Sequence, residues 1–210
     1  MIIKLLLKSL LAVFVTALYI GCDSAVKDAK SPADQNKEIS NTRQMEKEEL
    51  VAKGEYLVMI GGCNDCHTPK IFNEQGMHFD SSRMLSGHPS GAPSFSVQPA
   101  ALQPTGGYAQ MNSGLTSWAG PWGISFTANL TPDSATGIGA WSEQTFIKAL
   151  RTGKHLGQEN GRDILPPMPW FNLAKAKEED LSAIYHYIRS LPAINNKVPA
   201  PIPPNMVQTK

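Results

Sequence analysis

Cys63, Cys66 and His67 stand together in the run Cys63-Asn64-Asp65-Cys66-His67. Two thiols at this spacing, followed at once by an imidazole, suit covalent attachment of a haem: the thiols reach two vinyl groups on one porphyrin edge while the histidine offers a ring nitrogen to the iron. Cys63 and Cys66 would then form the thioethers, and His67 would be an axial ligand. One motif implies one haem c. The same cysteine spacing also occurs in half a zinc site and in redox dithiols. A structural zinc site needs about four ligands, and no second cysteine pair is present; a thioredoxin-type dithiol belongs to a βαβ pattern that is not found here.

The second chemically loaded stretch is Leu165-Pro166-Pro167-Met168-Pro169-Trp170. Prolines on both sides hold Met168 in an extended, poorly mobile segment, and its thioether suits the sixth position of a haem iron, where Met/His ligation raises the reduction potential relative to bis-histidine ligation. Met168 as ordinary core filler is the alternative. His78, His88, His155, His186, Met77, Met84 and Met111 are rival ligands without comparable framing, His78 and His88 being the main competitors. His186 is expected to face water.

Helices must position these residues. From about Gln44 to Gly61, Leu50, Val51, Gly54, Leu57, Val58 and Gly61 recur at three- and four-residue steps, which predicts an amphipathic helix delivering the Cys63–His67 motif. Gly54 in mid-helix costs about 1 kcal/mol relative to alanine, so a second helix is expected to cross closely there. Ser142 is placed to cap a helix running to Arg151, with Trp141 and Phe146 as a hydrophobic staple and Gly153 as the stop. Glu178 to Leu191 predicts the clearest helix, with Leu181, Ile184, Tyr185 and Ile188 as its buried stripe, acids in the first turn, and Pro192 after it. Residues 72–125 show neither period and read as an irregular insertion of loops, either functional or covering.

Lys4 and Lys8, an apolar run from Leu10 to Ile20 and Gly21-Cys22 read as an export leader over 1–21, with Cys22 as a lipidated first residue. An uncleaved anchor is the alternative, but the run falls short of the ~20 residues that span a bilayer. Residues 22–43 are polar and read as a flexible tether, 44–197 as the haem domain, and 198–210 as a Pro-rich exposed tail. The 210 residues suit one main core. The formal charge of +1 includes both leader lysines, and without them 17 basic residues face 18 acidic ones, which leaves no basic patch for nucleic acid.

Several phrases carry a resemblance: Gly54-Glu55-Tyr56-Leu57 before Gly61-Gly62-Cys63, Asn129-Leu130-Thr131-Pro132-Asp133 with Gly137-Ile138-Gly139 and Trp141, Arg151-Thr152-Gly153, Pro166-Pro167-Met168-Pro169, and Tyr185 to Pro192. Over about 47 to 200 the chain resembles class I cytochrome c domains, in particular the haem domains of cytochrome subunits of membrane-bound alcohol and gluconate dehydrogenases. The resemblance implies an all-α, cytochrome c-like fold with helices packed around one covalently bound haem and a long irregular loop insertion. It also implies haem held by Cys63 and Cys66, with His67 and Met168 on the iron.

The expected function is that of a bacterial electron carrier, exported and anchored through Cys22 to a membrane, facing the periplasm or outer surface. It would take single electrons from a dehydrogenase or reductase and pass them to a cytochrome or oxidase, with no bond chemistry of its own. Two alternatives stay open: a haem protein with an open sixth site acting as a small-ligand sensor or peroxidase, and a fixed cytochrome subunit of a dehydrogenase complex.

Overall fold

A computed structural model describes residues 31–93, 96–105 and 107–209. The leader and Cys22 lie outside the described residues. Residues up to Met45 and those from Glu46 onward form separate compact units, and the second of these holds the Cys63–His67 motif and Met168. Helix α1, Pro32–Ile60, begins earlier than the apolar spacing from Gln44 predicts, so the second half of the expected tether is helical. No helix among the described residues is long and apolar enough to cross a membrane.

Gly62, in the left-handed region at φ 65°, turns the chain from α1 into the short helix α2, Cys63–His67. Helix α3, Glu143–Thr152, starts where the sequence predicts: the Ser142 hydroxyl accepts from the Thr145 amide, and Gly153 ends it at φ 66°. After α4, Trp170–Leu173, comes α5, Glu178–Ser190, whose first turn holds Glu178, Glu179 and Asp180. Val58 of α1, Phe146 and Leu150 of α3, and Leu181, Ile184, Tyr187 and Ile188 of α5 form the main buried cluster, joined by Leu85 and Ile138. The close crossing expected at Gly54 is present. A β-carbon there would overlap the Ala183 carbonyl and press on Tyr187. Lys53 ties the same crossing at its surface, 2.6 Å from the Asp180 carboxylate.

The all-α expectation is corrected by two small antiparallel sheets. Strands β1 (Lys70–Asn73) and β2 (Gly76–Phe79) form a hairpin, while β3 (Gln110–Met111), β4 (Ser117–Gly120) and β5 (Gly123–Phe126) form a three-stranded sheet. The architecture is therefore mixed α and β, and much of the insertion at 72–125 is ordered pairing rather than irregular loop. These strands are two to four residues long and rich in Gly and Ser, too short for alternation to register. Pro121-Trp122 turns β4 into β5, with Gly120 paired to Gly123 and Gly123 at φ 92°.

A second buried cluster joins Ala119 of β4 and Ile124 of β5 to Val97 and Ala101, with Ile202 and Val207 packed against it. The segment after Val198, expected as an exposed tail, thus contributes a bridge from Ile202 to Ile124 and another from Thr209 to Val97. Its prolines do not prevent this, because the bridging amides belong to non-proline residues.

Asp80 joins the hairpin to the core and carries a pH dependence. Its carboxylate accepts from the Ser82 amide at 3.1 Å and hydroxyl at 2.5 Å, and from Arg83 Nε at 2.6 Å. These hydrogen bonds, Ser82 first and Arg83 next, hold its pKa below the usual carboxylate range. A depressed folded-state pKa gives stability that is present above the unfolded value of about 4 and lost as pH falls through the lower folded value. Asp80→Asn is expected to flatten that acid limb at a cost of about 1 kcal/mol near neutrality. Urea unfolding of both proteins from neutral into acid pH checks this, and parallel acid limbs would refute it.

Candidate haem site

The His67 ring is buried, and its Nδ1–H donates to the carbonyl of Ala128 at 2.8 Å. The acceptor is a carbonyl, so the proton sits on Nδ1 and Nε2 keeps its lone pair; a metal-ligating histidine is commonly oriented by such a bond. Burial is the main reason that the imidazole pKa lies below its ordinary value, and the Ala128 carbonyl opposes this only in part. The ring is held neutral, the form in which it ligates. The His67 carbonyl accepts from the Gly87 amide at 2.7 Å, so the main chain of this residue is fixed as well.

Cys63 and Cys66 are free thiols, each partly buried. Burial raises both pKa values, and for Cys66 the nearby Lys70 ammonium pulls in the opposite direction. Asn64 and Thr68 brace the turn from within, through a Thr68 hydroxyl bond to the Asn64 side chain at 2.7 Å; the Thr68 oxygen then accepts from the Leu85 amide at 2.9 Å. Among the described residues no three His, Cys, Asp or Glu side chains gather as a metal cluster.

Met168 is half-buried and packs against the same apolar cluster as Cys63, alongside Leu130 and Trp141. Its segment is fixed from two sides. The Ser125 hydroxyl of β5 donates to the Pro166 carbonyl at 2.6 Å, and Trp170 lies so close over Gly153 that a β-carbon there would meet its ring. The Ile164 amide donates to the Gly153 carbonyl at 2.8 Å, and Arg151 Nη1 to the Ala174 carbonyl at 2.5 Å.

The rival ligands are placed differently. His88 is buried, with Nδ1 2.9 Å from the Thr116 hydroxyl and its ring against Phe126. His78 and Met77 lie on the exposed hairpin, and Met84 and Met111 are exposed. His155 stands edge-on to Trp141 at 5.5 Å between centroids. His186, expected in water, is half-buried and 3.4 Å from the Glu143 carboxylate.

The residues present fit a covalently bound haem: two unpaired thiols, a neutral imidazole with its Nδ1 already engaged, and a thioether on a braced segment, with Cys63 and Met168 against one apolar cluster. Sequence reasoning did not find Ala128, whose contribution is a carbonyl, nor Ser125, which lies in a strand too short to detect. Asn129, noted only within a longer phrase, is buried and donates from Nδ2 to the Ile194 carbonyl at 2.8 Å while its Oδ1 accepts from Thr131. This cross-link fixes the loop that carries Ala128.

No family model matches the chain. Curated relatives do. The gluconate 2-dehydrogenase cytochrome c subunit of Pantoea cypripedii is 31% identical over 138 residues, 66% of this chain and 22% of that protein. The cytochrome c subunit of the quinone alcohol dehydrogenase of Gluconobacter oxydans is 28% identical over 156 residues, 72% of this chain and 24% of that protein. The chain is a homologue of dehydrogenase cytochrome c subunits. A fructose dehydrogenase cytochrome subunit of Gluconobacter japonicus is also similar, 32% identical over 89 residues, or 42% of this chain and 18% of that protein. The chain therefore spans less than a quarter of the length of each of these three cytochrome relatives.

Proposed function

We propose that this chain is a c-type cytochrome that carries single electrons and performs no bond chemistry of its own. Cys63 and Cys66 would hold one haem c through thioethers, and His67 Nε2 and the Met168 thioether would be the protein's ligands to its iron. When bound, the haem supplies a one-electron iron couple. The protein's part is to fix both axial groups, keep water from them, and hold the same arrangement in either oxidation state.

The observation that carries the reading is the His67 ring: buried, neutral, and turned by the Ala128 carbonyl so that its lone pair is on Nε2, directly after two free thiols. The cytochrome subunits of dehydrogenases among the relatives support a dehydrogenase as electron donor; the acceptor in this proposal is a cytochrome or oxidase. The leader composition supports export and a lipid anchor at Cys22, with the domain facing the periplasm or outer surface and residues 22–31 of the polar stretch preceding α1.

The test is an optical spectrum of the purified haem-loaded protein, oxidised and reduced, with carbon monoxide added to the reduced form. A low-spin spectrum with a far-red methionine-to-iron band, haem that stays with the chain under acid–acetone extraction, and no response to carbon monoxide are expected. A high-spin spectrum shifted by carbon monoxide would refute the carrier reading and favour an open, ligand-binding haem.

A further inference from the structure

We propose that Lys70 is a positioning residue for the haem: its ammonium clamps the end of the Cys63–His67 turn and places there a fixed positive charge that raises the reduction potential. Lys70 Nζ donates to three carbonyls, those of Thr68 at 2.5 Å, Asp65 at 2.6 Å and Asn64 at 3.4 Å. Asn64 and Asp65 lie between the two cysteines, and Thr68 follows His67 directly. The Asn64 carbonyl also accepts from the Thr68 amide at 3.1 Å and the Thr68 carbonyl lies just past α2, so the ammonium gathers carbonyls at the C-terminal end of this turn, where a positive charge is favoured.

The hairpin explains why Lys70 points there. Lys70 is the first residue of β1 and pairs with Phe79, the last of β2, and its Nζ lies 5.2 Å from the centre of the Phe79 ring. Carbonyls on one side and an aromatic face on the other leave the charge little freedom. Among the described residues no carboxylate lies within ion-pair distance of it. Asp65 is on the same turn, but its side chain is exposed and folds back toward Gly62, so solvent and salt screen it more than the half-buried ammonium. A positive charge held on the turn that bears the proposed attachment points would disfavour the oxidised, more positive state of a haem bound there.

The inference rests on the proposed haem attachment, so the parent's spectrum is recorded first; a parent without covalent low-spin haem overturns both. With that in hand, midpoint potentials are measured by spectroelectrochemical titration for Lys70→Met, Lys70→Gln and Lys70→Arg, together with amide hydrogen exchange over residues 64–70. The Met and Gln variants are expected to shift to lower potential and Arg to stay at the parent value, with exchange fastest in Met. A purely structural lysine would alter exchange and leave the potential in place. An unchanged potential in Met and Gln overturns the proposal while leaving the carrier reading intact, as does an equal drop in Arg. Should Lys70→Met not load haem, Lys70→Gln decides by the same criterion.

Discussion

Met168→Ala is expected to remove the far-red band, open the reduced iron to carbon monoxide, and lower the midpoint potential by on the order of 0.1–0.2 V, a fraction of the ~0.8 V that axial ligands span. The backbone of the segment should survive the change, because its supports do not involve the thioether: Ser125 holds the Pro166 carbonyl, and Trp170 covers Gly153. Loss of packing from a half-buried methionine adds about 2 kcal/mol of destabilisation at most sites of this kind. Met168→His serves as the partner experiment: it should stay low-spin and closed to carbon monoxide, with a lowered potential. If Met168→Ala keeps the band and the potential of the parent, the thioether is core filler and the sixth ligand lies elsewhere.

Gly54→Ala sets two effects of opposite sign against each other. Helix propensity favours alanine by about 1 kcal/mol. Against this, the added methyl would overlap the Ala183 carbonyl, and a main-chain oxygen in the middle of α5 cannot swing aside as a side chain would. Relief requires α1 and α5 to part, which loosens Val58 from Leu181, Ile184 and Ile188. Overpacking of this sort costs ~1–3 kcal/mol and more when backbone is the obstacle, so a net loss of about 2 kcal/mol is expected, larger for Gly54→Val. Urea denaturation of the intact protein measures it. A more stable Gly54→Ala would show that the crossing has room.

The glycine could be read from the sequence because a residue so poor for a helix, inside an otherwise regular apolar repeat, asks for a reason that only a neighbouring element supplies. Ser142 and Gly153 were legible for a related cause: caps act on their own backbone within a few residues. The sheets were not. Ser117 to Phe126 is held by register between short strands and by Ile202, which bonds to Ile124 from far along the chain. Nothing local in Gly-Ile-Ser-Phe announces that pairing. The thiols, imidazole and thioether were legible as chemistry, since their side chains are the reactive groups. Their supports were less so: Ala128 acts through its carbonyl, and the Lys70 side chain reaches its acceptors only because the hairpin folds back on Phe79.

The Ser125 hydroxyl that steadies the methionine segment and the Ala128 carbonyl that aims His67 sit at the end of β5 and just beyond it, within one short run of main chain. On the proposed ligation the two jaws of the iron's clamp are therefore mounted on a single bar. A small slide of that bar would carry both jaws along and change their separation less than independent mounts would. Electron transfer is slowed by whatever nuclear rearrangement must accompany the change of charge. With that ligation, a shared mount would limit that rearrangement at its source, and the inserted sheet would have a part in setting how fast the protein exchanges electrons.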